Sequence, residues 1–284
     1  MANIIAAIDF SDCSVNALEH AVSIAARGTL DVHMIWVNNP SVTKTTIYSE
    51  SSSGLIDEIK KQFGKLVDKY KPLLPDSGID FVIREGKIYR EIIDEAKEME
   101  SLCIVMGTHG VSGFEQFWIG SNANKLISVS ICPVITVRAG IDSKHELKCI
   151  LMPIDSTLDT RQKVPFTAYI AMIHDAEINV LSIYASKYKS IQRRVDGYTD
   201  QVCEYLEDEG IRYKRDVLEC NDNLTLETID YAKKIKANLI SIMTEQETSP
   251  FNLLIGPYAQ QMVNNSPIPV LSINPFETMQ VSSR

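Results

Sequence analysis

No apolar run in this chain reaches the roughly 18–20 residues that a membrane-spanning helix needs, and the opening Met1-Ala2-Asn3-Ile4-Ile5 lacks the basic stretch of a secretory leader. Basic charge is scarce as well: 28 Lys and Arg stand against 37 Asp and Glu, a formal net charge of −9. Phosphate backbones and anionic membrane surfaces call for clustered cations, so neither nucleic acid nor membrane is expected as a partner, and a cytoplasmic location is. The six cysteines (Cys13, Cys103, Cys132, Cys149, Cys203 and Cys220) form no C-x-x-C pair, and several fall in apolar runs where a reduced thiol packs as a small hydrophobe. His20, His33, His109, His145 and His174 show no ligand spacing with Cys or acidic partners, so no structural metal is expected. Low-complexity stretches are missing too. With 45% hydrophobic and 23% charged residues the composition is that of an ordinary globular protein, and its 284 residues are enough for two domains, each with its own core.

The chain repeats itself. An offset of 146 residues lays Asn3-Ile4-Ile5-Ala6-Ala7-Ile8-Asp9 on Cys149-Ile150-Leu151-Met152-Pro153-Ile154-Asp155 and runs without gaps to Val37 on Ile183. An offset of 136 residues pairs Ala96 with Ala232, Gly120 with Gly256 and Pro133-Val134 with Pro269-Val270. The first copy therefore carries ten extra residues between the two blocks, placed by composition in the Ser- and Thr-rich stretch from Asn39 to Ser53. The period is far longer than a solenoid unit, so each copy reads as a domain: 1–139 and 148–275, joined by a short polar connector that keeps the two in contact.

Within each copy strand and helix signals alternate. Ile4 to Ile8 is a continuous apolar run of strand length. A helix follows, with Ser11 as its cap, Val15, Leu18, Val22 and Ala25 on one face, and Gly28 where a left-handed terminal residue is expected. Val32–Val37 is the second strand, and Leu55, Ile59, Phe63, Leu66 and Tyr70 stripe the second helix. Phe81–Arg84 is a third strand, and Ile88, Ile92, Ala96 and Met99 mark the third helix. Strand Leu102–Met106, a glycine-rich loop, a helix from Ser121 and strand Val134–Arg138 complete the copy. Strict βα alternation predicts an α/β fold with a doubly wound, Rossmann-like parallel sheet in each copy.

From Gly107 the loop has the pattern Gly-x2-Gly-x9-Gly-Ser, ending at Ser121. Glycines let a phosphate approach backbone N–H groups, and a helix start adds its positive dipole end. The Ser121 hydroxyl is placed to bind phosphate or to cap the helix. The plain alternative is that these glycines serve only a turn and a helix start. No Gly-x4-Gly-Lys-[Ser/Thr] loop and no Gly-x-Gly-x-x-Gly after the first strand occurs. A Ser-Gly-Gly-x-Asp-Ser adenylation loop is also missing, its place being taken by Asp9-Phe10-Ser11-Asp12-Cys13-Ser14.

Asp9-Phe10-Ser11, Gly86 before the third helix, Ile104-Val105-Met106 running into Gly107-Thr108-His109-Gly110, Gly120-Ser121 and Cys132-Pro133-Val134 together resemble the universal stress protein family, in its tandem, ATP-binding type. The resemblance is strong over 1–139 and weaker over 148–275. It implies that Ala7 and Asp9 flank a nucleoside and that Val37 stands beside the adenine. It implies further that Gly107, Gly110, Gly120 and Ser121, with the backbone of Asn122 and Ala123, hold ribose and phosphates, and that Met106 is also among the nucleotide-binding residues. The ligand so implied is ATP, or AMP or ADP, with Mg²⁺ entering only alongside it. Asn122 departs from the family's usual apolar residue or Thr. Apart from the resemblance, Asp9 reads equally as a helix cap and Val37 as core. His109 and Trp118 read as loop residues rather than catalytic ones.

In the second copy Gly107 corresponds to Met243, Gly110 to Gln246 and Ser121 to Pro257, while Gly256 persists and Glu245 and Glu247 bring like charge toward any anion. A degenerate copy that keeps its fold is expected. Family members pair through their final strands, which implies an intramolecular pseudo-dimer through Val134–Val137 and Val270–Ile273 and leaves a further homodimer open. The function expected is that of a nucleotide-binding regulator with an unidentified protein partner. Two alternatives stay open: a slow ATPase, for which no general base, paired carboxylates or arginine finger is visible, and a nucleotide-independent binding module working through Pro250, Phe251, Leu253 and Leu254 of the second copy.

Overall fold

A computed structural model describes residues 2–39, 52–108, 120–138, 140–141, 146–220, 222–244, 246–249 and 252–275. The first half contains β1 (Asn3–Ala7), α1 (Asp12–Gly28), β2 (Asp31–Asn38), α2 (Ser52–Tyr70), β3 (Ile79–Glu85), α3 (Ile88–Glu98), β4 (Cys103–Gly107), α4 (Ser121–Val129) and β5 (Val134–Val137). The second repeats that order with β6 (Cys149–Ile154), α5 (Val164–His174), β7 (Glu177–Tyr184), α6 (Lys189–Asp208), β8 (Tyr213–Glu219), α7 (Leu224–Lys234) and β9 (Leu239–Met243). A hairpin of β10 (Gln246–Ser249) and β11 (Asn252–Ile255) precedes α8 (Pro257–Asn265) and β12 (Val270–Ile273). The ten-residue insertion expected between Asn39 and Ser53 falls mostly on 40–51, outside the described residues.

Ten strands form one sheet in the order β3-β2-β1-β4-β5-β12-β9-β6-β7-β8. Neighbours within each half run parallel, and at the centre β5 meets β12 antiparallel, with Ile135 opposite Leu271. The α/β, doubly wound architecture and the pairing of the two final strands are thus as the sequence led us to expect. Each half presents the order 3-2-1-4-5, and the antiparallel seam relates the two by an approximate twofold rotation.

Helices cover both faces. On one side Leu18 of α1, Phe63 of α2, Ile170 of α5 and Leu206 of α6 belong to a single buried cluster that also takes in Ile4, Val105, Ile150 and Leu271. On the other, Ile92 of α3, Leu126 of α4, Ile229 of α7 and Met262 of α8 form a second cluster with Ile5, Ile104, Leu151 and Ile240. Each core therefore runs from one half into the other without a break at the seam.

Local chemistry sets the helix ends. The Ser11 hydroxyl accepts from Ser14 N–H at 3.2 Å and caps α1 as expected. At the other end the left-handed residue is Thr29 (φ 52°), one position beyond Gly28. Gly28 is the last helical residue, and a Cβ there would stand 3.0 Å from Leu30 Cδ1 and 3.3 Å from Ile173 Cδ1 of α5. Its missing side chain serves the close approach of α5 rather than a turn. The third strand is longer than the apolar run Phe81–Arg84, extending to Ile79 and Glu85 because β2 offers it a full parallel ladder.

Candidate functional site

Strand order reverses between β1 and β4, whose onward connections lead to opposite faces of the sheet. In such sheets the crevice outside the carboxyl ends of those two strands is where ligands bind. A cavity of about 220 Å³ lies there. Ala7 and Asp9 line it from the end of β1, Val37 from β2, Met106 and Gly107 from β4, and Gly120, Ser121, Asn122 and Ala123 from the start of α4. Gly110, His109 and Trp118 lie outside the described residues. Ile8, Ser14, Ile35, Trp36, Ile88, Ile92 and Thr108 also line the cavity and were not singled out from the sequence. The apolar stripe of α3 already carried Ile88 and Ile92. Thr108 stood within the Gly107-Thr108-His109-Gly110 motif without being assigned a role.

The wall of the cavity is built by backbone hydrogen bonds. Thr108 N–H donates to Val137 O at 3.0 Å, and Gly120 N–H donates to Thr108 O at 2.9 Å. These bonds bring the two ends of the glycine-rich loop together beside β4. Gly120 occupies the N-cap position of α4 and supplies no side-chain cap, so Ser121 is the first helical residue and its hydroxyl does not cap the helix. Among the described residues no side chain caps the leading N–H groups of α4, whose residues line the cavity, which suits an anion.

Asp9 is held tightly. Its Oδ1 accepts from Ser11 N–H at 3.0 Å and Ser11 Oγ–H at 2.5 Å, and its own N–H donates to Ser14 Oγ at 3.3 Å. Between them Phe10 adopts φ 62°, a conformation that non-glycine residues avoid and that tends to mark functional turns. Its ring is anchored edge-on to Phe63 at 5.0 Å, and Phe63 stacks on Phe81 at 4.5 Å. This aromatic column fixes the turn that delivers Asp9 to the cavity.

Gly107 owes its identity to packing. A Cβ at that position would fall 2.8 Å from Cys13 Sγ and 3.0 Å from the Cys13 carbonyl carbon, so the first turn of α1 lies directly on the end of β4. At Gly120 the nearest neighbour, Thr108 O, is 3.4 Å away, an ordinary contact. Gly86, by contrast, is required by its own backbone, with φ at +153°, and a Cβ there would also run into the Glu91 carboxylate.

The second half repeats the turn. Asp155 Oδ1 accepts from Thr157 N–H at 2.8 Å and Thr157 Oγ1–H at 2.5 Å, and Asp155 N–H donates to Thr160 Oγ1 at 3.2 Å. Around it the setting has changed. Met243 fills the place of Gly107 and is buried. Pro257 opens α8 and so offers no N–H where Ser121 does. Lys163, aligned with Ala17, buries its ammonium beneath the turn, donating to Thr160 O at 2.5 Å and Thr160 Oγ1 at 3.2 Å. Burial pulls the Lys163 pKa down to about 8, with Asp155 acting in the opposite direction.

Architecture and crevice together define an α/β protein whose parallel-sheet unit occurs twice in one chain, with a cavity at the topological switch point of the first. Residues 1–138 match the model of the universal stress protein family. The chain is 30% identical over 145 residues to universal stress protein YxiE of Bacillus subtilis, covering 46% of this chain and 95% of that one. To universal stress protein MJ0531 of Methanocaldococcus jannaschii it is 33% identical over 133 residues, covering 46% of this chain and 78% of that protein. The crystal structure of a universal stress protein from Archaeoglobus fulgidus shares the fold across 97% of both chains, with a TM-score of 0.73 at 16% identity. The chain belongs to the universal stress protein family. No helix among the described residues is long and apolar enough to cross a membrane.

Proposed function

We propose that the protein is a nucleotide-responsive regulator that binds ATP, or another adenine nucleotide, in the first half. The observation that carries this reading is the cavity at the carboxyl ends of β1 and β4, whose wall combines an apolar floor (Ala7, Val37, Met106) with the uncapped start of α4. Its volume of about 220 Å³ is below the roughly 300–1,000 Å³ of pockets that enclose a whole ligand. The base and ribose occupy it, and the phosphates meet the N–H groups of Ser121, Asn122 and Ala123, where Mg²⁺ accompanies them. In this reading residues 1–139 form the working domain and 148–275 a degenerate domain that keeps the fold and the Asp turn but not the phosphate seat. The protein acts in the cytoplasm, through a protein partner whose identity the cavity does not specify.

Calorimetric titration of ATP with Mg²⁺ into nucleotide-stripped protein tests the proposal, alongside Ser121→Glu. An acidic side chain at the first turn of a helix favours the helix dipole, so the variant keeps its fold, while its charge repels phosphate at short range. One site per chain, weakened at least tenfold in the variant, is the expected result. Absence of heat and of any thermal shift in the wild type would overturn the nucleotide reading.

A further inference from the structure

A second and larger cavity, of about 500 Å³, lies where the two halves meet, on the α1–α5 side of the seam. Its size falls within the range of pockets that enclose a whole small ligand. His20 and Ser23 of α1, Arg138 just beyond β5 and His174 of α5 give it polar wall, while Leu239, which opens β9, and Ile268, which leads into β12, give it apolar wall. Among the described residues that line it there is no carboxylate, in a chain whose net charge is −9.

Two of these groups are placed with care. Arg138 Nη1 donates to Asn264 O at 2.8 Å and the Arg138 carbonyl accepts from Asn16 Nδ2 at 3.0 Å, so both halves orient this residue. His174 is 6% exposed, and its Nε2 is buried with no hydrogen-bond partner among the described residues. Folded proteins seldom leave such an atom unpaired. Burial, with Arg27 and Lys148 nearby, holds the His174 pKa down to about 4, so the imidazole is neutral and retains one N–H donor at physiological pH. Those two cations are bridged by Glu146, at 2.8 Å from Arg27 and 3.3 Å from Lys148.

We propose that this inter-half cavity is a binding site for a small organic anion with an apolar body, a medium-chain carboxylate, its head group on Arg138 and His174 and its chain along Leu239 and Ile268. A guanidinium meets a carboxylate with matched geometry and charge-assisted hydrogen bonds, and the apolar wall takes the rest by burial. Both halves supply contacts, and the site is distinct from the crevice at β1 and β4.

Octanoate is the probe. Calorimetry on the full chain is expected to show one octanoate bound per chain, about tenfold weaker binding in Arg138→Gln, and none in Ser23→Trp, whose indole fills the cavity. Binding of 1-octanol as tight as that of octanoate would overturn the anionic assignment. Equal octanoate binding in a folded Ser23→Trp variant, or none at millimolar concentration in the wild type, would overturn the site. A diazirine-bearing carboxylate photocrosslinked to the unmodified protein gives a readout free of variants: label mapped to 20–24 or 237–239 supports the proposal, and label confined to other peptides refutes it.

Discussion

A side chain on Gly107 would have to displace the backbone of Cys13, because its Cβ would lie 3.0 Å from that residue's carbonyl carbon. Overpacking of this kind costs about 1–3 kcal/mol or more, so Gly107→Val is expected to melt several degrees below the wild type, while Gly120→Ala, with 3.4 Å of clearance, melts within about 2 °C of it. Differential scanning calorimetry distinguishes the two, and equal melting would mean that α1 does not rest on β4 as described. Lys163 offers a second test. Its folded pKa is lowered to about 8 from 10.5, so below pH 8 the buried ammonium opposes folding in full, and the penalty shrinks as pH rises toward 10.5 and the folded form alone sheds the proton. Lys163→Met is expected to be more stable than the wild type by a few kcal/mol at pH 7, with the gap closing between pH 8 and 10.5 in urea melts. A gap that stays constant over that range would show that the ammonium is not desolvated.

Among the elements, the turn after β1 recurs after β6 with the same hydrogen bonds, although the two halves differ at most other positions of the crevice. Asp9→Ala and Asp155→Ala should therefore destabilise by similar amounts, about 1 kcal/mol each, in chemical denaturation. A markedly larger cost at Asp155 would indicate that its charge attraction to the buried Lys163 dominates. That equivalence also bounds what could be read from the sequence. The apolar runs of β1, β2 and β4 and the stripes of α1–α3 announced their elements, because burial on one face or both leaves a period. The glycine pattern pointed to the crevice in which the smaller cavity lies, but that α1 by itself requires Gly107 to lack a side chain depends on a tertiary approach no spacing encodes. The hairpin of β10 and β11 was not foreseen. Its first strand, Gln246-Glu247-Thr248-Ser249, is polar and short, and it stands where the first half has its glycine-rich loop. The hairpin lies against α4 of the opposite half, so its reason to exist is found across the seam.

At the level of the whole molecule, both cores cross the β5–β12 seam, and Asn274 Nδ2 reaches back to Ile127 O and Ser130 O at 2.8 Å each. A fragment of residues 1–139 would expose the β5 edge together with apolar surface on both faces of the sheet. It is expected to self-associate, and sedimentation of that fragment should show a dimer or larger species. A well-folded monomer at tens of micromolar would contradict a shared core. Fusion also changes what evolution may do with the interface. Two identical subunits meeting about a twofold axis must be self-complementary, so that every substitution appears twice and must suit both places. With the partners on one chain that obligation lapses: Gly28 can make room for Ile173 while its own counterpart, His174, is a large imidazole turned to a different use. One copy is thereby free to drift while the other stays constrained, and the seam holds them together throughout.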